Sequence, residues 1–327
     1  MSMPSSTSQH FRVVLMLVLA NVYWALSFPL IKAIAFEHQR LLPASGSWFI
    51  TVCLLAPRFV LAAAIVAVWR RGALRGMTAR EMRQGAGLAL FATAGMLFQN
   101  DGLQYTAAST SAFLTQMYVI MIPLWVALRR RRLPPATIWV SCGLVLAGVA
   151  ILARFDWREL HLGRGEVETL VSSVFFTGQI LLLERAGFAG NRPIPVTFVM
   201  FVVEAVLSLT LVGVLLASRT PRLAEMPVLF TSAPWLGFTL ALTLFCTVGA
   251  FTLMNTWQPR ITATEAGLIY CVEPLLASLM ALFLPGLFSL WAGFAYPNES
   301  VTIHLLIGGG LITAANVLIQ LKPLPKP

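Results

Sequence analysis

Long apolar runs separated by short polar or basic stretches fill the chain from Phe11 to Leu321. Ten such runs fall at approximately 11–33, 48–70, 82–101, 107–128, 135–153, 165–184, 195–217, 232–257, 263–285 and 302–321. A helix rises about 1.5 Å per residue, so roughly 20 apolar residues cross the ~30 Å hydrocarbon layer. Each run is therefore expected to be a membrane-crossing helix. The fold class predicted is an all-α membrane protein with ten transmembrane helices. The intervening stretches set the expected units: a disordered tail at 1–10, a first five-helix repeat at 11–153, a connecting loop at 154–164, a second five-helix repeat at 165–321, and a tail at 322–327.

A faint recurrence at an offset of 155 links the halves. Asn100 answers to Asn255, Leu103 to Gln258, Thr115 to Tyr270, Tyr118 to Glu273 and Val119 to Pro274. Five crossings is an odd number, so a duplicated unit enters the bilayer the second time upside down. Two inverted five-helix repeats around a central cavity are expected, an arrangement that builds many secondary transporters.

Composition agrees with the pattern. Hydrophobic residues make up 58% of the chain and charged residues 11%, against roughly 25% charged in soluble domains. A net charge of +10 would suit nucleic acid, but its placement argues for a bilayer. Arg70, Arg71, Arg75, Arg80, Arg83 and Arg129 to Arg132 cluster in two short loops. With the N-terminus inside, 15 of the 23 Lys and Arg residues lie on cytoplasmic segments, as the positive-inside rule requires. The expectation is an integral multi-pass protein of a bacterial cytoplasmic membrane, with both termini cytoplasmic, as a monomer or homodimer. The run from Phe11 to Ser27 continues to Ala33 without a convincing cleavage site, so it reads as the first span and not a signal peptide. Asn298-Glu299-Ser300 forms a sequon on the outer side.

Ionisable groups inside spans cost at least ~2.5 kcal/mol at the helix centre and call for a reason. Arg58 and Glu204 lie at equivalent depths of spans two and seven, where charge coupling and a structural ion pair are equal options. Glu273 lies midway along span nine, one turn from Tyr270 and directly before Pro274. Helical spacing puts Tyr270 and Glu273 on one face. Span four shows Thr115 and Tyr118 at the matching positions. With Trp24, Gln99, Asn100, Gln179 and Asn255 they describe an aromatic, hydrogen-bonding cavity suited to a small amphipathic solute. Lys32, Glu37, Asp101, Glu184, Arg185 and Glu265 lie nearer span ends and read as anchors or gate pairs. Pro29, Pro57, Pro123 and Pro274 each free a carbonyl one turn earlier. Glycines such as Gly85, Gly95, Gly143, Gly148 and Gly310 read as helix-packing positions.

Cys53, Cys142, Cys246 and Cys271 fall in separate spans and read as small packing residues. No metal-ligand spacing, phosphate loop, nucleophile elbow or Ser-His-Asp set is found. No cofactor, metal or enzymatic activity is expected.

The stretch Asn21-Val-Tyr-Trp24-Ala-Leu-Ser-Phe-Pro-Leu-Ile-Lys32 resembles the first-span signature of EamA-type carriers in the drug/metabolite transporter superfamily. Gln99-Asn-Asp-Gly-Leu-Gln-Tyr-Thr106, Ala112-Phe-Leu-Thr-Gln-Met-Tyr-Val119, Pro57-Arg58-Phe59 and Glu273-Pro274 are similar to further motifs of that group, in the same order. The resemblance implies ten spans in two inverted repeats, and export of amino acids, metabolites or drugs by alternating access. The chain departs from it at Arg129 to Arg132 and in a longer loop after span nine. Three readings follow. The first is a carrier exporting a small organic solute, with protons as the candidate coupling ion. The second is an uptake or exchange carrier for a sugar-phosphate or nucleotide-sugar type solute. The third is a non-transporting membrane scaffold or lipid-handling protein.

Overall fold

The computed structural model describes residues 6–321, apart from 107–110, 112–113, 132, 153–162 and 218–222. Its regular structure there is helical throughout: α1 (Ser6–Leu41), α2 (Ser47–Trp69), α3 (Ala79–Gly102), α4 (Tyr118–Arg130), α5 (Ala136–Leu152), α6 (Arg164–Glu184) and α7 (Pro193–Ala217). A 3-10 segment (Leu223–Thr231) leads into α8 (Ala233–Ala241), a π-helical stretch (Leu242–Gly249) and α9 (Ala250–Trp257). After a 3-10 turn (Gln258–Arg260) come α10 (Ala263–Tyr270), α11 (Glu273–Ala281), α12 (Leu284–Ala292) and α13 (Ile303–Leu321). Six helical stretches among the described residues are long and apolar enough to cross a membrane, and three shorter apolar helices accompany them. By length and composition these helices make the protein an integral membrane protein.

Several boundaries differ from the sequence expectation. The helix α1 starts at Ser6, inside the stretch expected to be a disordered tail, and runs past Ala33 to Leu41. Contacts at both ends hold it: His10 Nε2 lies 3.1 Å from Glu265 Oε1, and the buried Glu37 carboxylate accepts from Ser232 Oγ at 2.6 Å. Residues 1–5, 322–327 and most of the 154–164 loop lie outside the described residues.

Spans four and nine are not continuous helices. In the first, Met117 and Val119 bond to carbonyls three residues back, and α4 begins only at Tyr118. In the second, Cys271 and Val272 do the same, and α11 begins at Glu273. The breaks at Gln116–Met117 and Cys271–Val272 lie 155 residues apart. Span nine also stops at Ala281, and the apolar residues that follow form a separate short helix, α12.

Local chemistry explains the starts. Thr78 Oγ1 accepts from Glu81 N at 3.2 Å while Glu81 Oε2 accepts from Thr78 N at 2.9 Å, a capping box that begins α3. Thr262 caps α10 and Ser232 caps α8 in the simpler way.

The principal helix pairs are α3 with α6 and with α7, α1 with the α8–α9 stretch, α2 with α7, and α5 with α13; α2 also packs on the π-helical stretch and α4 on α10. In addition, α4 packs on α6, and α1 on α10 and α11. This pattern maps onto itself when the first five segments are exchanged with the second five. Close approach supplies the packing where side chains are missing. A methyl on Gly148 would sit 2.8 Å from the Gly308 carbonyl oxygen, and one on Gly85 would sit 2.6 Å from the Val196 oxygen. Gly143 and Gly310, expected to pack likewise, face open space.

Candidate substrate cavity

Between these helices lies a cavity of about 800 Å³. Its lining includes eight of the nine residues singled out for binding: Trp24, Gln99, Asn100, Thr115, Tyr118, Gln179, Tyr270 and Glu273. Arg58 lines it as well. The two broken spans place the most distinctive groups. Tyr118 is the first residue of α4 and Glu273 the first of α11, so each stands at a helix N-terminus inside the bundle. Free amides there carry partial positive charge and favour the Glu273 carboxylate. Pro274 has no amide hydrogen, so the Tyr270 carbonyl lacks its helical donor and the chain breaks where it does. In span four, Pro123 frees the Val119 carbonyl, and the Cys142 thiol donates to it at 3.4 Å. That gives Cys142 a polar contact beyond the packing role read from the sequence.

One wall is aromatic. Trp24 meets Tyr270 edge-on at 5.4 Å and Phe251 at 5.6 Å, geometries that aromatic pairs favour. The polar wall is only partly used internally. Gln99 Nε2 donates to Thr115 Oγ1 at 3.2 Å, and Thr115 Oγ1 donates to the Ser111 carbonyl at 2.8 Å. Asn100 Nδ2 and Gln179 Nε2 are buried with no hydrogen-bond partner among the described residues. A buried unpaired donor is costly, and a bound solute would satisfy both.

Two expected members lie elsewhere. Asn255 turns away from the cavity and donates to Thr197 Oγ1 at 3.0 Å, tying α9 to α7. Glu204 is fully buried and outside the cavity lining, with neither oxygen hydrogen-bonded among the described residues. Arg58 and Glu204, read as charge-coupled or as a structural ion pair, share no hydrogen bond or close ion pair among those residues, but their charges interact through space. Arg58 instead donates from Nε to Thr247 Oγ1 and from Nη2 to the Cys246 carbonyl at 3.3 Å. Both acceptors sit on the π-helical stretch, whose wider turns offer a carbonyl that an α-helix would have used. Sequence reading missed this support, and it missed Phe251 and Met254 in the lining. Their spacing from Thr247 along one helical face was the available signal.

The cavity is closed at the end that carries His10, Glu184 and Glu265, which we call the inner end. Tyr270 donates its hydroxyl to Gln258 Oε1 at 2.8 Å, and Gln258 Nε2 donates to the Ile180 carbonyl at 2.8 Å. Below them Ala263 N donates to Glu184 Oε2 at 3.0 Å, and the Arg12 guanidinium lies 5.2 Å over the Trp257 ring. Toward the outer end the cavity continues into a second chamber of about 1270 Å³. The two share Phe28, Ile31, Asn100 and Leu103. Beside this chamber the outer ends of α3 and α6 are joined, with Arg164 bonding Asp101 at 2.5 Å and Glu168 at 2.8 Å. Asp101 and Glu184, read as anchors or gate pairs, make these contacts at opposite ends of the cavity.

At the inner surface, outside the spans, Arg192 bonds Glu81 at 2.7 Å. The hydrogen bonds from Arg192, with help from Thr78, hold the Glu81 carboxyl down at about 2. Among the described residues no group of three His, Cys, Asp or Glu side chains could hold a metal ion.

Residues 11–154 match the EamA-like transporter family. The resemblance read from the motifs thus holds over the first half of the chain, and it is consistent with an EamA-type drug/metabolite transporter. A crystal structure of another protein superposes with a TM-score of 0.65 at 17% identity, covering 95% of this chain and 96% of its own. That likeness concerns the fold alone. No curated protein matches the sequence.

Proposed function

We propose that the protein is a secondary transporter that moves a small organic solute and exports it by alternating access. The observation that carries this reading is the cavity at two matching helix breaks, closed inward and continuous with an outer chamber. Broken helices that expose termini and free carbonyls at mid-bundle are how transporter sites are commonly built. The match to a transporter family supports it. The self-mapping pattern of helix pairs supports ten crossings in two inverted repeats. In this reading the structure is the outward-facing member of an alternating pair. Trp24, Tyr118 and Tyr270 form walls, Gln99, Asn100, Thr115 and Gln179 orient polar groups, and Glu273 answers to substrate charge or to a proton.

The anionic-substrate alternative is weaker because, among the described residues, Arg58 is the single cationic side chain lining the deep cavity, where a phosphate would call for several. The test is untargeted metabolite profiling of cells and medium with the protein, without it, and with Glu273→Gln. Export predicts one solute class enriched in the medium only with the wild-type chain. Identical profiles in all three would sink the reading. Flux only against a preloaded counter-solute in proteoliposomes would turn it into exchange.

A further inference from the structure

The inner end carries one arrangement that closure of the cavity does not explain. Trp257, the last residue of α9, has two guanidiniums over its ring: Arg12 of α1 at 5.2 Å and Arg260 of the following 3-10 turn at 4.2 Å. Each lies within cation–π range, so the two charges are no farther apart than the two distances laid end to end. Both arginines are exposed, and neither is in an ion pair among the described residues.

Arg12 has a counterpart in the second half of the chain. It stands 152 positions before Arg164, the interval that also separates Trp24 from Phe176 and Ser27 from Gln179, all four of them in the cavity lining. Arg164 likewise lies over a ring, that of Tyr105, at 4.2 Å. The chain itself neutralises Arg164, through Asp101 at 2.5 Å and Glu168 at 2.8 Å. At the inner end the carboxylates are engaged otherwise: Glu265 lies 3.1 Å from His10, and Glu184 accepts from Ala263 N at 3.0 Å. Where the outer end brings two acids to its arginine, the inner end brings a second base. Like charges held together in this way repel, and an anion between them turns that repulsion into attraction. The seam leading away from the pair is apolar. Met16, Leu19 and Tyr23 follow Arg12 at helical spacing on α1, and Leu253 and Gly249 precede Trp257 at the same spacing; all are half-buried. The two stripes meet, since the Tyr23 ring lies 5.9 Å from that of Phe245 and a methyl on Gly249 would sit 3.1 Å from it.

We propose that Arg12 and Arg260 bind the phosphate of an anionic lipid from the leaflet at the inner end, with an acyl chain lying along this seam. A phosphodiester offers two anionic oxygens, and each guanidinium presents a planar fork of donors that matches them. A zwitterionic lipid brings a cation on the same headgroup, which the two arginines repel. Trp257 stands where an amphipathic ring is favoured, at headgroup level. Arg12 belongs to α1 and Arg260 follows α9 directly. One bound phosphate therefore ties together the two elements whose contact shuts the inner end. The inference does not depend on what the cavity carries.

Purified full-length protein in neutral detergent is titrated with palmitoyl-oleoyl phosphatidylglycerol and with phosphatidylcholine of the same chains, and bound lipid is counted by native mass spectrometry. One phosphatidylglycerol per chain is expected to bind about tenfold more tightly than phosphatidylcholine, and added inorganic phosphate is expected not to displace it. Arg12→Gln and Arg260→Gln each erase most of that preference, whereas Arg12→Lys keeps part of it. Arg129→Gln, at an exposed arginine with no ring contact among the described residues, leaves it unchanged. Thermal melts check that each variant is folded. A phosphatidylglycerol with a photoreactive group beside its phosphate is expected to label peptides containing Arg12 or Arg260 in the wild-type chain, a readout that needs no variant. Equal binding of the two lipids overturns the proposal, as does an equal loss in Arg129→Gln or label confined to other peptides. Full displacement by inorganic phosphate overturns the lipid in favour of a free anion. None of these outcomes bears on export, which the metabolite profiles test separately.

Discussion

The two broken spans have the same backbone and different chemistry. At Gln116–Met117 and at Cys271–Val272 the chain leaves α-helical bonding, and a new helix starts on a residue that lines the cavity. In the first half that residue is Tyr118; in the second it is Glu273. Just before the breaks stand Thr115, bonded to Gln99, and Tyr270, bonded to Gln258 at the closed inner end. One break therefore presents neutral hydroxyls, and the other presents a carboxyl next to the floor of the cavity. The break recurs at this spacing, and the ionisable group and the floor contact do not. On the proposed alternating access, the recurring break would serve both states, and Glu273 would let solute charge or a proton act on one half only.

The largest test of that contrast is Glu273→Gln against Tyr118→Phe. Losing a charged hydrogen-bonding group costs about 1.5–3 kcal/mol and a neutral one about 0.5–1.5. Initial export rates, normalised to membrane level, are expected to fall about tenfold or more for the first and about threefold for the second. Equal losses would mean that the two breaks are functionally equivalent. Next comes the scaffold itself. Gly148→Val puts a side chain against Gly308 and is expected to cost about 1–3 kcal/mol, read as folded yield, while Gly143→Ala, facing open space, is silent.

A smaller effect separates the repeat-related asparagines. Asn255→Ala removes the bond to Thr197 and is expected to lower Tm by the equivalent of about 1 kcal/mol with KM unchanged. Asn100→Ala is expected to do the reverse. A KM change for Asn255→Ala would return that residue to the cavity. The smallest effect lies outside the cavity. Glu81 titrates at about 2 in the fold against an ordinary 4.5, so its contribution to stability is present above about pH 4.5 and fades as pH falls toward 2. Arg192→Gln should flatten that slope in melts at pH 3 to 5; an unchanged slope would place the acid sensitivity elsewhere.

Much of this was legible beforehand. Spacing of apolar runs anticipated the long helices among the described residues but not α12, and the offset of 155 led to Asn100, Thr115, Tyr118, Tyr270 and Glu273 in the lining, because helical periodicity decides which residues share a face. Asn255 misled, since an amide in a duplicated position is bonded by whichever neighbour the second half offers, here Thr197. Arg58 and Glu204 interact through space, but they share no hydrogen bond. The π-helical stretch put a hydroxyl and a carbonyl within reach of the guanidinium. Hydrophobic pattern does not distinguish a π turn from an α turn. The outer chamber was invisible because Lys32 and Glu299, which both line it, are 267 positions apart, and only the folded segment after Ala281 brings them together.

The helix α1 runs unbroken through Pro29 for 36 residues, about 54 Å at the α-helical rise and well beyond the ~30 Å hydrocarbon layer. It carries Arg12 over Trp257 at the inner end and Lys32 beside the outer chamber. A rod that pivots near its middle moves its two tips in opposite directions. Any tilt that lifts Arg12 from Trp257 therefore swings Lys32 across the outer chamber, as one axle turns two doors in opposite senses.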